Sequence, residues 1–264
     1  MRKILIYIIV LVIFMPSCSE YQKLLKGNDY ELKYSKAMEY YEKKDYFRAM
    51  TLFEELYPLW IGLDKGEEIY FYYSYSHYAL NDYLMAGYHF RKFAKSYPNS
   101  KHIEEVEYLS AYCYYLDSPE SELDQTSTVR ALDELQLFID RYPNSERVAE
   151  CNNLIEKLRS KLEQKAYENA KLYFDLGYYK AAVTSLKNSL KDYPDSQYRE
   201  EILFLIVKSS YLLAQNSIEK KQVERYKSTI TEYYTLVDEF PSTTHIKEAE
   251  KYFDSSREFI ENSK

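Results

Sequence analysis

A short turn sequence recurs four times in this chain and constrains its fold more than any other feature. The turn consists of an aromatic residue, proline, a small polar residue and serine or threonine, and its copies begin at Tyr97, Tyr142, Tyr193 and Phe240. Proline cannot continue a helix, and the Ser or Thr that follows can cap the next one. Because each copy closes a segment of helical periodicity, the chain is predicted to be a row of similar helical units.

The segments between the turns share a spacing of small and large residues. Ser74, Ala86, Phe90 and Phe93 stand 12, 4 and 3 residues apart. Small residues at the first two positions let antiparallel helices approach closely, and the large ones fill the space beside them. Related sets occur in the other units: Ala37, Ala49, Phe53 and Leu56; Ala111 and Ala131; Ala170, Ala182, Leu186 and Ser189; and Thr229, Tyr233 and Leu236.

This spacing resembles the tetratricopeptide repeat, a helical hairpin that stacks into solenoids. Only 5 glycines and 7 prolines occur in 264 residues, which favours helices joined by short turns. The predicted fold class is all-α, a helical-hairpin solenoid of about five repeats. The third repeat is lengthened by a polar loop over residues 117–128, and the fifth repeat has no clear small residue.

The first helix of each predicted hairpin carries a second regularity. Intervals of three and four residues put side chains on one face of a helix, and the first helices of such hairpins line the concave surface of a solenoid. A partner-binding groove is therefore predicted, with glutamates at one rim. Its aromatic members are Tyr34, Tyr41, Phe71, Tyr75, Tyr78, Tyr108, Tyr112 and Tyr115.

In the last two repeats the third stripe position is a lysine. Lys171 and Lys208 stand there, and Tyr211 follows. The change predicts a second partner or subsite along the groove. Ordinary packing between repeats remains the alternative for each stripe residue, because aromatics at helical spacing are more often core than ligand site.

The N-terminus has the pattern of an export signal. A basic start at Arg2 and Lys3 precedes an apolar run that ends at Met15, followed by Pro16-Ser17-Cys18. The run is too short to span a bilayer, which takes about 20 residues. Cysteine after a small residue indicates lipidation at Cys18, although the box lacks the usual leucine; an ordinary signal peptide is the alternative.

The predicted organisation has four parts. Residues 1–17 are a lipoprotein signal peptide and 18–28 a lipidated tether. Residues 29–145 hold repeats one to three, with the groove. Residues 146–264 hold a long linking helix, repeats four and five and a C-terminal capping helix.

Composition and motifs exclude several function classes. The 42 acidic residues outnumber 35 basic ones, which argues against nucleic-acid binding. The sequence has no Gly-rich phosphate loop and no nucleophile elbow, so no catalytic residue and no cofactor are predicted. His77 and His89 lie on the two helices of one hairpin, but a third metal ligand is missing. Cys113 and Cys151 are expected to be buried free thiols.

A signal ending in Cys18, a body of this length and the Tyr-Pro-(Asn/Asp)-Ser turns together resemble one family. It is the BamD family, also called YfiO or ComL, lipoproteins of the outer-membrane β-barrel assembly machinery. The resemblance implies a non-enzymatic protein, lipid-anchored to the outer membrane and facing the periplasm.

The resemblance also implies two partners: the periplasmic domains of the barrel-forming BamA-like subunit, and unfolded outer-membrane proteins with their C-terminal signal. The family binds substrates through its N-terminal repeats and the barrel-forming subunit through its C-terminal ones. This division gives the aromatic groove to substrates and makes Lys171, Lys208 and Tyr211 candidate subunit contacts.

Two other readings remain open. The chain could be an envelope scaffold lipoprotein that binds cell-wall enzymes or Tol–Pal-type partners. It could also be a small glycan-binding lipoprotein that pairs with a nutrient transporter, although such proteins are longer and carry large loop insertions.

Overall fold

The computed structural model describes residues 16–263, and every regular element within that range is helical, as predicted. The α-helices described are α1 (Pro16–Lys26), α2 (Tyr30–Glu42), α3 (Tyr46–Leu56), α4 (Asp64–Ala79), α5 (Tyr83–Ser96), α6 (Ile103–Leu116), α7 (Thr126–Arg141), α8 (Val148–Asp175), α9 (Tyr179–Asp192), α10 (Arg199–Gln215), α11 (Glu219–Glu239) and α12 (Ile246–Asn262).

Five helical hairpins follow one another within residues 16–263, which confirms the predicted architecture. The α2–α3, α4–α5, α6–α7 and α10–α11 pairs pack against each other. The fourth hairpin joins the C-terminal part of α8 to α9, because Ala170, Ala182 and Leu186 share one buried cluster. After the fifth hairpin, α12 packs on both α10 and α11, and its Ala249 is buried.

The small and large positions read from the sequence form the interior of the hairpins. Ala37, Ala49, Phe53 and Leu56 are all fully buried in the first hairpin. In the fifth hairpin the position of the missing small residue is taken by Thr229, which is also fully buried. Burial of each large apolar side chain contributes about 1.5–3 kcal/mol, so these positions account for much of each hairpin's stability.

The chain divides into two compact units. Unit 1 comprises the chain up to Pro119 together with Gln125–Ile155, and unit 2 comprises Glu120–Asp124 together with Glu156–Lys264. The division falls inside α8, a single helix of 28 residues.

The first hairpin has a closing turn that the sequence pattern did not reveal. Tyr57–Leu59 form a short 3-10 helix, and the chain then bends at Trp60 before α4 begins. A Cβ on Gly66 would lie 1.9 Å from the Trp60 carbonyl oxygen, so only glycine lets this turn fold against α4. The pattern was missed because Leu59 and Trp60 replace the polar pair of the other turns.

The predicted signal peptide lies almost wholly outside the described residues, as does the side chain of Cys18. Among the helices that the structure describes, none has the length and apolar character needed to cross a bilayer. The helix α1 begins at Pro16, in the predicted signal peptide, and covers most of the segment predicted as a tether.

Candidate functional site

The aromatic stripe of unit 1 lies on α2, α4 and α6, and we call its members the aromatic surface. They are Tyr34, Tyr41, Phe71, Tyr75, Tyr78, Tyr108, Tyr112 and Tyr115. Seven of them are half-buried, whereas Tyr108 is 3% exposed. Most of this surface therefore keeps ring area accessible to a partner.

Ring contacts connect the members of the aromatic surface. Tyr41 on α2 lies 4.8 Å from the ring of Tyr72 on α4, and Phe71 lies 4.9 Å from Tyr75. On α6 the rings of Tyr108, Tyr112 and Tyr115 are nearly parallel, with centroids 5.7 and 5.8 Å apart. Such offset stacking is favourable and holds the rings in fixed directions. Tyr72, which links α2 to α4, was not part of the predicted set.

Two of the glutamates expected at the rim accept hydrogen bonds from tyrosine hydroxyls of the preceding hairpin. Tyr75 donates to Glu105 Oε1 at 2.5 Å, and Tyr34 is hydrogen-bonded to Glu68. Burial, followed by the bond to Glu105, raises the pKa of Tyr75 far above its usual value. These hydroxyls are therefore neutral donors at any physiological pH.

Tyr108 on α6 makes a similar contact. Its hydroxyl is hydrogen-bonded to Glu150 on α8, and burial together with that bond raises its pKa. The acidic rim is thus used to join consecutive first helices.

A further residue stacks on the second stripe position of each of four consecutive first helices. It stands two residues after the Ser or Thr of the closing turn. His102 lies over Phe71 at 4.1 Å, and the Arg147 guanidinium lies 4.2 Å from the Tyr108 centroid. In unit 2 the corresponding pairs are Tyr198 on Tyr167 at 4.5 Å and His245 on Phe204 at 4.1 Å.

The closing turns hold these stacking residues in place. Ser100 Oγ donates to Glu67 at 2.6 Å and accepts the backbone N–H of His102 at 3.0 Å. Ser145 and Ser196 donate in the same way to glutamates of the preceding first helix, at 2.6 and 2.7 Å. The turn aromatic packs back on the helix that it ends, as shown by Tyr97 on Phe93 at 5.2 Å. The stacking residues were not predicted from the sequence, because His, Arg and Tyr have no side-chain property in common there. They share only their position two residues after the Ser or Thr of the turn.

In unit 2 the predicted lysines are already paired. Lys208 Nζ lies 2.8 Å from Glu248 Oε1 on α12, and the hydrogen bond from this ammonium lowers the pKa of Glu248. Lys171 pairs with Asp175 at 3.0 Å on its own helix. The Tyr211 ring contacts that of Tyr252, also on α12, at 4.8 Å.

An acidic pocket adjoins the aromatic surface in unit 1. It has a volume of about 460 Å³, and its lining includes Asp64, Glu67, Glu68, Phe71, Tyr72 and His102. Two of its carboxylates are engaged, Glu67 by Ser100 and Glu68 by Tyr34.

The two histidines expected to approach each other do so inside the second hairpin. Their rings lie 4.9 Å apart; His77 Nδ1 is 2.9 Å from Asp82, and His89 Nδ1 is 3.1 Å from the Tyr70 hydroxyl. Among the described residues no group of three or more His, Cys, Asp or Glu side chains has the arrangement of a metal site.

Cys113 and Cys151 are buried free thiols, as predicted. Burial raises the pKa of Cys113 to about 12 and that of Cys151 to about 11, so both stay protonated and unreactive.

Comparison with known proteins gives one family. The family model YfiO, described as outer membrane lipoprotein, matches residues 27–225. The outer membrane protein assembly factor BamD of Caulobacter vibrioides is 26% identical over 147 residues, 56% of this chain and 48% of that protein. The match thus spans about half the length of that relative.

A second relative is matched over a longer stretch. The putative outer membrane protein assembly factor BamD of Aquifex aeolicus is 24% identical over 230 residues, 86% of this chain and 73% of that protein. Among solved structures, the TPR2AB domain of yeast Sti1 in its pHSP90 complex aligns with a TM-score of 0.40 at 12% identity. That alignment covers 86% of this chain and 98% of the yeast domain.

Proposed function

Because the chain belongs to the YfiO family of outer membrane lipoproteins, we propose that it is a non-enzymatic lipoprotein subunit of the machinery that assembles β-barrel proteins in the outer membrane. Two of its relatives are named as outer membrane protein assembly factors, the Aquifex protein putatively. In this role the chain binds unfolded barrel proteins with unit 1 and the periplasmic domains of the barrel-forming subunit with unit 2.

The aromatic surface is the observation that carries the substrate half of this proposal. Strands of outer-membrane barrels alternate apolar and polar side chains and carry aromatic girdles. An extended segment of this kind presents its apolar side chains on one side, where half-buried tyrosine rings offer large contact area with few rotatable bonds. Tyr112 and Tyr115 suit this role best, because they contact other rings of α6 and are only half-buried, which leaves ring area accessible.

Unit 2 is proposed to contact the barrel-forming subunit through a more polar surface. Lys171 and Lys208 stand where unit 1 has Met38, Tyr75 and Tyr112, and Tyr211 lies beside Lys208. Both lysines are partly exposed although they are paired with carboxylates, so a partner carboxylate can compete for them.

Cys18 is proposed as the lipidation site that anchors the protein to the outer membrane, facing the periplasm. A diacylglycerol thioether and an acylated amine supply more than one chain, and two or more chains give stable anchoring.

Cross-linking of the full-length lipidated protein, purified from native membranes in mild detergent, tests this function. Cross-links from unit 2 to periplasmic domains of a barrel protein are expected. Recovery of wall enzymes, Tol–Pal-type proteins or a transporter in place of a barrel partner would instead support an envelope scaffold or a glycan-binding lipoprotein.

A further inference from the structure

The segment that follows Cys18 is docked on the first hairpin. Tyr21, 8% exposed, meets the ring of Tyr40 on α2 edge to face at 5.7 Å. The Arg48 guanidinium at the start of α3 lies over both rings, 5.3 Å from Tyr21 and 5.5 Å from Tyr40. Three elements therefore meet at one buried aromatic residue close to the proposed lipid.

The other end of α1 is held at the opposite end of α2. Lys33 Nζ donates to the backbone oxygen of Leu25 at 2.9 Å and is also paired with Glu55 on α3. The Lys33 side chain is 1% exposed, so its ammonium depends on these two acceptors. Because Leu25 lies near Lys33 and Tyr21 lies near Tyr40, α1 runs antiparallel to α2.

This direction places the beginning of α1 level with the turn between α2 and α3. Cys18 precedes Tyr21 by three residues, and Lys43 follows Tyr40 by three residues. At a helical rise of about 1.5 Å per residue, both lie about 4.5 Å beyond the Tyr21–Tyr40 contact. The backbone of α1 at Cys18 therefore lies level with the α2–α3 turn rather than at the end of a long tether.

The same edge of unit 1 exposes a row of apolar side chains. Successive helices alternate in direction, so the α2–α3 and α4–α5 turns lie at one edge. Phe47 at the first turn is 64% exposed; Leu80, Leu84 and Met85 at the second are 38%, 52% and 39% exposed. We call these four residues the turn edge.

We infer that the turn edge rests on the lipid leaflet that holds the acyl chains of Cys18, and that docked α1 fixes this orientation. The inference rests on the lipidation proposed above. Aromatic and apolar side chains partition into the membrane interface, and Phe47 is the most exposed of the four. Contact is apolar rather than electrostatic, since the first turn mixes Lys43 and Lys44 with Glu42 and Asp45.

The first hairpin also supplies a matched control site at its other edge. Ile61, in the loop before α4, is 62% exposed, which is almost the same as Phe47. The 13 residues of α2 separate the two edges by about 20 Å. A freely tethered lipid would allow either edge to reach the membrane, whereas the docked α1 selects the edge of Phe47.

Fluorescence quenching by brominated lipid tests the inference. Trp60 is the only tryptophan, so Trp60→Phe gives a silent background for Phe47→Trp and, separately, Ile61→Trp. Each full-length lipidated variant is reconstituted into phosphatidylethanolamine–phosphatidylglycerol vesicles with brominated acyl chains. Emission of the Phe47→Trp variant is expected to fall about twofold, as for a ring at the interface, and that of the Ile61→Trp variant to change little.

Three outcomes separate this inference from the lipidation on which it rests. If the lipidated chain does not float with vesicles, or if Cys18→Ala floats equally well, the lipid anchor is wrong. If the chain floats but the Ile61→Trp variant is quenched as much as the Phe47→Trp variant, the turn edge is not the membrane contact. Adding Tyr21→Ala to the Phe47→Trp variant should reduce quenching while flotation persists; unchanged quenching would contradict the role of docked α1.

Discussion

Tyr75 in unit 1 and Lys208 in unit 2 occupy the same position in their hairpins. Each contacts a glutamate on a helix of the following packing layer, but the two contacts differ in kind. Each stands four residues after a phenylalanine covered by a histidine, Phe71 or Phe204. Tyr75 donates a neutral hydroxyl to Glu105, whereas Lys208 forms an ion pair with Glu248. The contact at this position is thus made by a tyrosine hydroxyl in unit 1 and by a lysine ammonium in unit 2.

The difference has consequences for what each unit can bind. In unit 1 the stripe presents tyrosine rings, and the hydroxyls of Tyr34 and Tyr75 are hydrogen-bonded to glutamates within the unit. In unit 2 the same position presents an ammonium that is 29% exposed and whose partner is shared with Tyr252. This contrast supports the proposal that unit 1 binds apolar strands and unit 2 folded, charged domains.

Removal of the large core side chain is expected to have the greatest effect in both units. Phe90 and Leu186 occupy the same position in their hairpins and are fully buried. Phe90→Ala should lower the free energy of unfolding by about 4 kcal/mol and Leu186→Ala by about 3 kcal/mol, from lost burial and the cavities left behind. Urea unfolding followed by circular dichroism measures both.

Tyr88→Ala is the control for this prediction. Tyr88 lies on α5 close to Phe90 but is 49% exposed, and its loss should cost about 0.5 kcal/mol or less. A loss equal to that of Phe90→Ala would mean that the hairpin interior is not where the spacing places it.

Acid should destabilise unit 1 more than unit 2, because the buried histidines lie in unit 1. Burial, followed by repulsion from His77, lowers the pKa of His89 to about 4. The folded state then binds fewer protons than the unfolded state, so stability falls as pH drops from about 6.5 towards 4 and is retained above 6.5. By pH 5 the loss should be about 2 kcal/mol.

The fluorescence of Trp60 reports this transition, since the only tryptophan lies in unit 1. His89→Phe keeps a ring in the site and should abolish most of the dependence between pH 7 and pH 5. An equal dependence in that variant would assign the effect to other groups around the site, which are His77, Asp82, Lys92 and the neighbouring tyrosines.

Tyr112→Ala should weaken binding of a peptide that carries the C-terminal strand of a barrel protein by about tenfold, or about 1.4 kcal/mol, typical of an aromatic anchor. The free energy of unfolding of the Tyr112→Ala variant should change little, because Tyr112 is only half-buried. Its ring contacts are those with Tyr108 and Tyr115. Fluorescence anisotropy with a labelled peptide measures the affinity. Tyr88→Ala, off the stripe, should bind normally; an equal loss in both variants would remove the aromatic surface from peptide binding.

The smallest changes in the free energy of unfolding are expected at the two inter-helix contacts, the hydrogen bond of Tyr75 and the ion pair of Lys208. Tyr75→Phe removes a hydrogen bond from a neutral hydroxyl to the Glu105 carboxylate and should cost about 1 kcal/mol with little dependence on ionic strength. Lys208→Met removes a partly exposed ion pair and should cost about 0.5 kcal/mol, decreasing at high salt. Urea unfolding at low and high sodium chloride decides between them; a salt-sensitive Tyr75→Phe effect would contradict the distinction.

The architecture was predictable from the sequence because hairpin packing depends on local spacing. Ala37, Ala49 and Phe53 lie within 17 residues of one another, and the closing prolines mark the boundaries. The turn at Tyr57–Leu59 was not predicted, although it begins with the same Tyr-Pro pair as the other turns. Leu59 and Trp60 stand there in place of the two polar residues.

The inter-repeat contacts were not predictable in the same way. Tyr75 and Glu105 are 30 residues apart, and nothing in either residue alone indicates the other. The stacking position is filled by His102, Arg147, Tyr198 or His245, so it has no compositional signature. Likewise, the segment predicted as a tether gives no sign in sequence that Tyr21 is buried against Tyr40.

Site-specific photo-cross-linking in cells tests the central claim most directly. A photoreactive phenylalanine replaces Tyr112 in unit 1. As a control it replaces Tyr234 in unit 2, another tyrosine, which is 50% exposed. Adducts of many newly made β-barrel proteins are expected at position 112 and few at position 234. Equal adducts at both positions, or adducts at position 112 that contain wall enzymes or a transporter and no barrel proteins, would contradict the central claim.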